Sequence, residues 1–299
     1  MRQLSIIPQY YYNGQIDLKM TLMQKISSGL QASITTQRGP LPGKTVAIVA
    51  GVHGNEQGGI AAITEAISSI PIERGTVHYI IGNPKALEKS VRFTEMNLNR
   101  AFIQGPLQNQ ALETTYERGR AKELMPLLDT CDALLDIHSV GNQKATPFII
   151  CEKEYFSLAR QFPFPIISSG WNAIEPGSTD YYMSTSGKPG LCLECGYHND
   201  PIVSKRALNG IRIFLGLMGN IPYTPAKEVQ QKEINATNAY ITKNNFTLVR
   251  AFSDFEATEQ DELIGHDGVL EFRMPKKGFV IFARNSETAG QEAVVLSCV

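Results

Sequence analysis

No stretch of this 299-residue chain approaches the roughly 20 consecutive apolar residues that a membrane-spanning helix needs. Charge of one sign is missing too. The formal net charge is −1, so no basic excess exists to neutralise phosphates or anionic lipid, and no nucleic-acid or membrane partner is expected. Cysteine is scarce and odd in number: Cys131, Cys151, Cys192, Cys195 and Cys298. Most of these lie inside apolar runs, which suits buried reduced thiols better than a disulfide framework. Cys192 and Cys195 form a Cys-x-x-Cys, but the second such pair that a zinc knuckle would need is absent. The first eight residues lack a long apolar core followed by a small-residue cleavage site, so no signal peptide is expected and the protein is placed in the cytoplasm. Internal repeats and low-complexity tracts are also lacking.

What is present describes an ordinary globular protein, 42% hydrophobic and 19% charged, and long enough for one large or two unequal domains. Apolar runs at 45–50, 76–82, 133–138, 147–151, 165–168 and 191–194 read as strands. Helical patterns at 56–70, 113–128, 152–161 and 203–218 alternate with them, which predicts an α/β sheet covered on both faces. Residues 221–225, followed by the polar 227–233, read as a linker. Beyond it the pattern changes to short runs at 247–252, 269–273 and 278–283, separated by turn signals such as Gly265-His266-Asp267-Gly268, as in a small β domain. The expected division is 1–220 for the catalytic part and 221–299 for the small β part.

Chemistry concentrates first in Gly51-Val52-His53-Gly54-Asn55-Glu56, directly after the first apolar run. His53 and Glu56, three residues apart among glycines at the end of a strand, read as two ligands of a catalytic metal, at the sheet edge where α/β folds place their sites. A catalytic zinc takes three protein ligands and keeps one open position. The third candidate is His138, at the end of the run Leu134-Leu135-Asp136-Ile137-His138. Alone it would read as a hydrogen-bonded core histidine; beside the His53 motif it reads as a ligand. Asp136 lies two residues earlier, on the same strand face, and is placed to orient an imidazole. His78 and His266 read as packing or surface residues, and His198 as a residue close enough after Glu194 to line the cleft, with nothing that requires it to bind metal.

Glu194 is an acid inside a strand that otherwise holds apolar side chains, a costly position unless the carboxylate is paired or working. It reads as the general acid/base, with an internal salt bridge as the plainer alternative. Arg92, Asn99 and Arg100 cluster after Asn83-Pro84. Arginine matches a carboxylate with a planar two-pronged donor, or steadies a developing oxyanion. Taken alone, the same segment would read as a solvated loop.

Together these pieces resemble the succinylglutamate desuccinylase/aspartoacylase family, related to zinc carboxypeptidases. The matching residues are the His53–Glu56 motif, Arg92 with Leu98-Asn99-Arg100-Ala101-Phe102, Asp136-Ile137-His138, and Glu194-Cys195-Gly196. The resemblance runs from about residue 40 to 220, and the β part afterwards is similar to that family as well. It implies a carboxypeptidase-like three-layer α/β/α domain with a mixed sheet, plus a small C-terminal all-β domain that caps the active site. It implies one zinc ion per chain held by His53, Glu56 and His138, Glu194 as general acid/base, Arg92 polarising the scissile carbonyl, and Asn99 and Arg100 gripping a substrate carboxylate. One departure stands out: the family commonly has Asp where this chain has Asn97. No residue of the β part matches the family's substrate contacts, and Tyr197 and Tyr240 are candidates without a motif.

The expected activity is zinc-dependent hydrolysis of the amide bond of a small N-acyl amino acid, by a protein that is free to form a homo-oligomer. The alternative is a zinc carboxypeptidase or peptide amidase using the same metal site. A third reading is a zinc-containing binding protein that has lost catalysis; retention of Glu194 and Arg92 speaks against it.

Overall fold

The computed structural model describes residues 33–224 and 230–298. The readings of the first eight residues and of the polar stretch at 225–229 lie outside the described residues.

Among the described residues, eight strands form one mixed sheet. They are β1 (Ile34–Arg38), β2 (Leu41–Ala50), β3 (Arg74–Ile81), β4 (Ala133–Val140), β5 (Phe148–Ile150), β6 (Ile166–Ser169), β7 (Gly190–Tyr197) and β8 (Lys232–Asn235), in the order β1-β3-β2-β4-β7-β5-β6-β8. The centre, β3-β2-β4-β7, is parallel, whereas β5 runs antiparallel to β7 and β1 antiparallel to β3. Period-two alternation along β2 divides the core in two. Val46, Ile48 and Ala50 join one apolar cluster with helices α1 (Gln57–Ser69) and α7 (Ile202–Met218). Ala47 and Val49 join the other, with α3 (Tyr116–Asp129) and α6 (Thr179–Thr185). Helices on both faces of a mixed sheet make the three layers α/β/α. The shorter helices α2 (Pro84–Lys89), α4 (Phe156–Ala159) and α5 (Trp171–Ile174) sit in the connections.

Every strand and helix read from the apolar pattern between 45 and 218 is found, with shifted ends. The region expected to be helical at 152–161 is a 3₁₀ turn, Lys153–Tyr155, running into α4. The end of the polar stretch read as linker, 227–233, is instead part of β8 (Lys232–Asn235), which pairs with β6 in the large sheet.

After β8 come two small antiparallel sheets. One is β10 (Phe246–Leu248), β12 (Leu263–Asp267) and β13 (Leu270–Arg273). The other is β11 (Glu256–Thr258), β14 (Gly278–Ile281), β15 (Glu292–Cys298) and β9 (Asn238–Ile241), in that order. They share a core of Phe246, Phe252, Ile264, Met274 and Val280. A separate apolar seam joins them to the large sheet. There Phe148 of β5 meets Phe255 edge-on at 4.7 Å, and Ile281 and Val295 are buried with Ile150, Trp171 and Cys192. The fold is therefore the α/β domain with appended all-β sheets.

Candidate metal centre and active site

β2 ends at Ala50, and the chain turns through Gly51, whose φ of +67° suits glycine. Gly54 lies so close to the α2 turn that an added Cβ would stand 2.0 Å from the Ala86 carbonyl carbon. This tight passage folds His53 and Glu56 back over the carboxyl edge of the sheet. His138 leaves β4 on the same face as Asp136, and Glu194 is its register partner on β7, so these side chains share one face of the sheet.

The three expected ligands converge. Among the described residues, His53, Glu56 and His138 are the group of His, Cys, Asp and Glu side chains placed to hold a metal ion. Their ligand atoms lie within 4.8 Å of one another, and all three residues are buried. His53 Nδ1 is 2.7 Å from Glu56 Oε1, and His138 Nδ1 is 3.1 Å from Glu56 Oε2, which also accepts from the Ser139 N–H at 3.0 Å. Each ring is held from behind through Nε2. His138 Nε2 lies 3.1 Å from Asp136 Oδ2, which accepts a further bond from Thr179 Oγ1 at 2.5 Å. His53 Nε2 donates to Asn97 Oδ1 at 3.0 Å. Both rings thus turn Nδ1 toward the same point, the arrangement in which outer partners fix a ligand's tautomer.

Electrostatics agree with that geometry. Burial, helped by Arg92, pulls His53 down to about 4. Burial pushes the Glu56 carboxyl up, but His53 and His138 outweigh it and hold the acid well below the usual range. Burial alone would lower His138, yet the carboxylates of Asp136 and Glu56 raise it well above an ordinary histidine. Two imidazole nitrogens and a carboxylate packed around one point fit a divalent cation of the kind that takes nitrogen and oxygen ligands.

Around this centre lies a cavity of about 440 Å³. Glu194 lines it, only 7% exposed, and its Oε2 has no hydrogen-bond partner among the described residues. Burial raises its pKa to about 8. Arg92 Nη1 stands 3.6 Å from Glu56 Oε1. Asn99 and Arg100 lie on the 3₁₀ turn Leu98–Arg100, which Asn97 caps by accepting from the Asn99 N–H. All seven expected site residues line this one cavity. Arg100 is also engaged within the protein: it pairs with Glu175, and Glu292 Oε2 lies 3.6 Å away.

His198 lines the cavity as read, with Nδ1 2.8 Å from Ser139 Oγ. His78 is a buried packing residue, its Nδ1 2.9 Å from Thr36 Oγ1. Cys192 and Cys195 are free thiols of β7. Tyr197 and Tyr240 do not line the cavity. Tyr240 donates to Asp267 Oδ2 within the small sheets, and Tyr197 bonds Asn199. The C-terminal contributions are instead Phe282, Ala283, Arg284 and Glu292. No local motif marks them. The nearest signal was the apolar run at 278–283, whose end carries two of them.

The sequence profile of the succinylglutamate desuccinylase/aspartoacylase catalytic domain matches residues 42–218. A buried His–Glu–His cluster at the carboxyl edge of an α/β sheet defines the class. The chain belongs to the succinylglutamate desuccinylase/aspartoacylase family. It is 33% identical over 172 residues to a probable aspartoacylase of Nostoc sp. (strain PCC 7120), covering 50% of this chain and 54% of that protein. It is 37% identical over 126 residues to an aspartoacylase of Danio rerio, covering 38% and 40%. An N-acyl-aromatic-L-amino acid amidohydrolase (carboxylate-forming) of Xenopus tropicalis is 28% identical over 121 residues, covering 38% and 39%. The chain therefore spans about half or less of the length of these curated relatives. In fold it is similar to the succinylglutamate desuccinylase of Vibrio cholerae, with a TM-score of 0.73 at 19% identity over 93% of this chain and 94% of that one. A succinylglutamate desuccinylase/aspartoacylase structure from Rhodobacter sphaeroides gives 0.69 at 19% over 88% and 87%.

Proposed function

We propose that this chain is a zinc-dependent amidohydrolase that cleaves the amide bond of a small N-acyl amino acid. The observation that carries the reading is Glu194: a buried carboxylate with an unpartnered oxygen, beside His138 in strand register and in one cavity with the His53–Glu56–His138 cluster. A structural glutamate in that position would be paired; this one is unpaired in the same cavity as the cluster, where a bound cation would favour its ionised, proton-accepting form.

In this reading His53, Glu56 and His138 hold one zinc ion, which supplies Lewis acidity at their meeting point. Glu194 accepts a proton from the attacking water through Oε2. The water oxygen bonds to the acyl carbon, the C–N bond breaks, and Glu194 delivers the proton to the departing nitrogen, leaving a carboxylic acid and a free amino acid. Arg92 faces the carbonyl oxygen as negative charge develops on it. Asn99 and Arg100 orient the substrate carboxylate. His198 stays outside this chemistry.

The size of the site favours small molecules over peptides. Phe282, Arg284 and Glu292 wall one side of the 440 Å³ cavity, which supports a capping role for 221–299 over a catalytic 1–220. β8 tethers the cap to the large sheet. Five free cysteines support a cytoplasmic setting, and among the described residues no helix is long and apolar enough to cross a membrane.

The test is hydrolysis by zinc-loaded protein of N-acetyl and N-succinyl amino acids beside short peptides with free C-termini. Chelated protein serves as the control. Cleavage restricted to small N-acyl amino acids is expected; cleavage of peptides alone would move the chain to the carboxypeptidase reading.

A further inference from the structure

Away from the metal centre the cavity wall is built largely from residues outside the expected site. Three arginines reach the cavity, Arg92, Arg100 and Arg284, and beyond Glu56 and Glu194 three carboxylates do so as well, Glu175, Asp180 and Glu292. Arg100 spends Nη1 on the Asn99 carbonyl at 2.8 Å and Nη2 on Glu175, with Glu292 beyond. Arg284 donates through Nε to the Glu292 carbonyl at 2.9 Å, and its Nη2 lies 3.4 Å from the Glu292 carboxylate. The wall is thus close to balanced in charge and holds no cationic excess for a dianion. One substrate carboxylate has Asn99 and the Arg100 face to meet. A second would arrive beside Glu175 and Glu292 and be repelled.

The wall also carries an apolar set, Ile150, Trp171, Cys192 and Phe282, in addition to polar lining residues that include Ser139, Asn142, Ser178 and His198. Trp171 has committed its N–H to Ser168 Oγ at 2.8 Å, so its indole offers hydrocarbon alone. The Phe282 ring packs 5.5 Å from Trp171 and 5.6 Å from Phe148. Its backbone stands at φ +54°, a region that a bulky side chain seldom occupies. The Phe282 N–H is held there by Asp254 Oδ1 at 2.9 Å. Strain of this kind persists where the surroundings enforce it, and it clusters at ligand-contacting positions. Here it falls one residue past the end of β14 and leaves an aromatic ring on the wall of the cavity.

We infer that Ile150, Trp171 and Phe282 form the pocket for the substrate's amino-acid side chain, and that the substrate is an N-acyl amino acid with one carboxylate and a neutral, apolar side chain. This deepens the amidohydrolase reading and rests on it. A dicarboxylic substrate is disfavoured by the same wall.

The test is calorimetric binding to zinc-loaded Glu194→Gln protein, in which ligands are not consumed. N-acetyl-leucine, N-acetyl-phenylalanine, N-acetylaspartate, N-acetylglutamate and N-acetylglycine are compared, with N-succinyl-leucine added to separate the acyl group from the side chain. Leucine and phenylalanine derivatives are expected to bind about tenfold or more tightly than the acidic ones. Phe282→Ala in the same background should erase that advantage while leaving N-acetylglycine unchanged. Glu175→Gln, which frees Arg100, should narrow the gap from the acidic side. Equal or tighter binding of the acidic ligands would overturn the inference, as would a Phe282→Ala loss that is the same for N-acetylglycine. Failure of every ligand to bind would overturn it together with the hydrolase reading. Turnover by the parent enzyme separates the two: selective binding without cleavage sinks the hydrolase reading alone, and cleavage that prefers acidic side chains sinks the side-chain assignment alone.

Discussion

The two histidines of the cluster are held by different chemistry. Asp136 backs His138 with a charge, whereas Asn97 backs His53 with a neutral amide oxygen at 3.0 Å. The amide fixes the same tautomer and ring orientation but leaves the imidazole a weaker base. Asn97→Asp is therefore expected to tighten zinc binding about tenfold, and Asn97→Leu to weaken it by a similar factor or more, read by competition with a chelator. Glu194→Ala should retain the metal yet lose turnover by a factor on the order of 10² or more; near-normal turnover would remove Glu194 from the mechanism. Asp254 offers a test by pH. It is 4% exposed, and burial raises its pKa to about 6. The folded state therefore holds this proton more tightly than the unfolded chain, where an aspartate titrates near about 3.9. Its contribution to stability is most favourable below that value and is lost as pH climbs to about 6. Asp254→Asn should flatten the stability profile between about pH 4 and 6, measured by urea unfolding at several pH values.

Helix α3 shows how one element can position a site it does not line. Its buried charges grip the long segment between β3 and the helix itself. Glu117, 0% exposed, accepts from the Thr94 N–H and hydroxyl at 2.7 Å, from Asn83 Nδ2 at 3.2 Å and from the Met96 N–H at 3.3 Å. Arg118 donates to the carbonyls of Ala101 and Ile103, and Arg120 to those of Ile81 and Gly82. The segment so held carries Arg92, Asn97, Asn99 and Arg100. Glu117→Ala strands several buried donors at once and should cost about 2–4 kcal/mol in urea unfolding. Because Asn97 hangs from this turn, zinc affinity should fall as well. Unchanged zinc affinity would limit Glu117 to a stabilising role.

For the whole molecule the governing fact is that the buried groups of His53, Glu56 and His138 meet at one point placed to hold a metal ion. Zinc at about a thousandfold excess over its Kd should add about 4 kcal/mol to stability. Melting temperature should rise by several degrees, and a chelator should reverse the rise. The aromatic seam between the large sheet and the C-terminal strands makes a second test. Phe255→Ala removes the edge-on partner of Phe148 and should cost about 3–5 kcal/mol. It should also raise KM more than it lowers kcat, since the same seam supports Phe282 at the cavity wall.

The sequence by itself determined the central parallel strands, because unbroken apolar runs bounded by glycine and polar residues leave a chain few other ways to bury them. The cluster was legible as well: His53 and Glu56 are local to one turn, and beside that motif His138 and Glu194, at the end of or inside apolar strands, read as a ligand and an acid. Short polar strands such as β1 (Ile34–Arg38) and β8 (Lys232–Asn235) left no such trace, because their pairing partners and not their side chains hold them in place. Helix α6 is anchored by its Ser178 cap and is too short for a helical period to show. Only the tertiary structure decided what faces the substrate. The pairing of Arg100 with Glu175 and Glu292 joins positions 75 and 192 residues apart, and Phe282 and Arg284 line the same cavity as His53 and His138. Periodicity reports which face of an element is buried; which surfaces then meet depends on sheet order and on how the C-terminal strands dock, and neither is written in any local pattern.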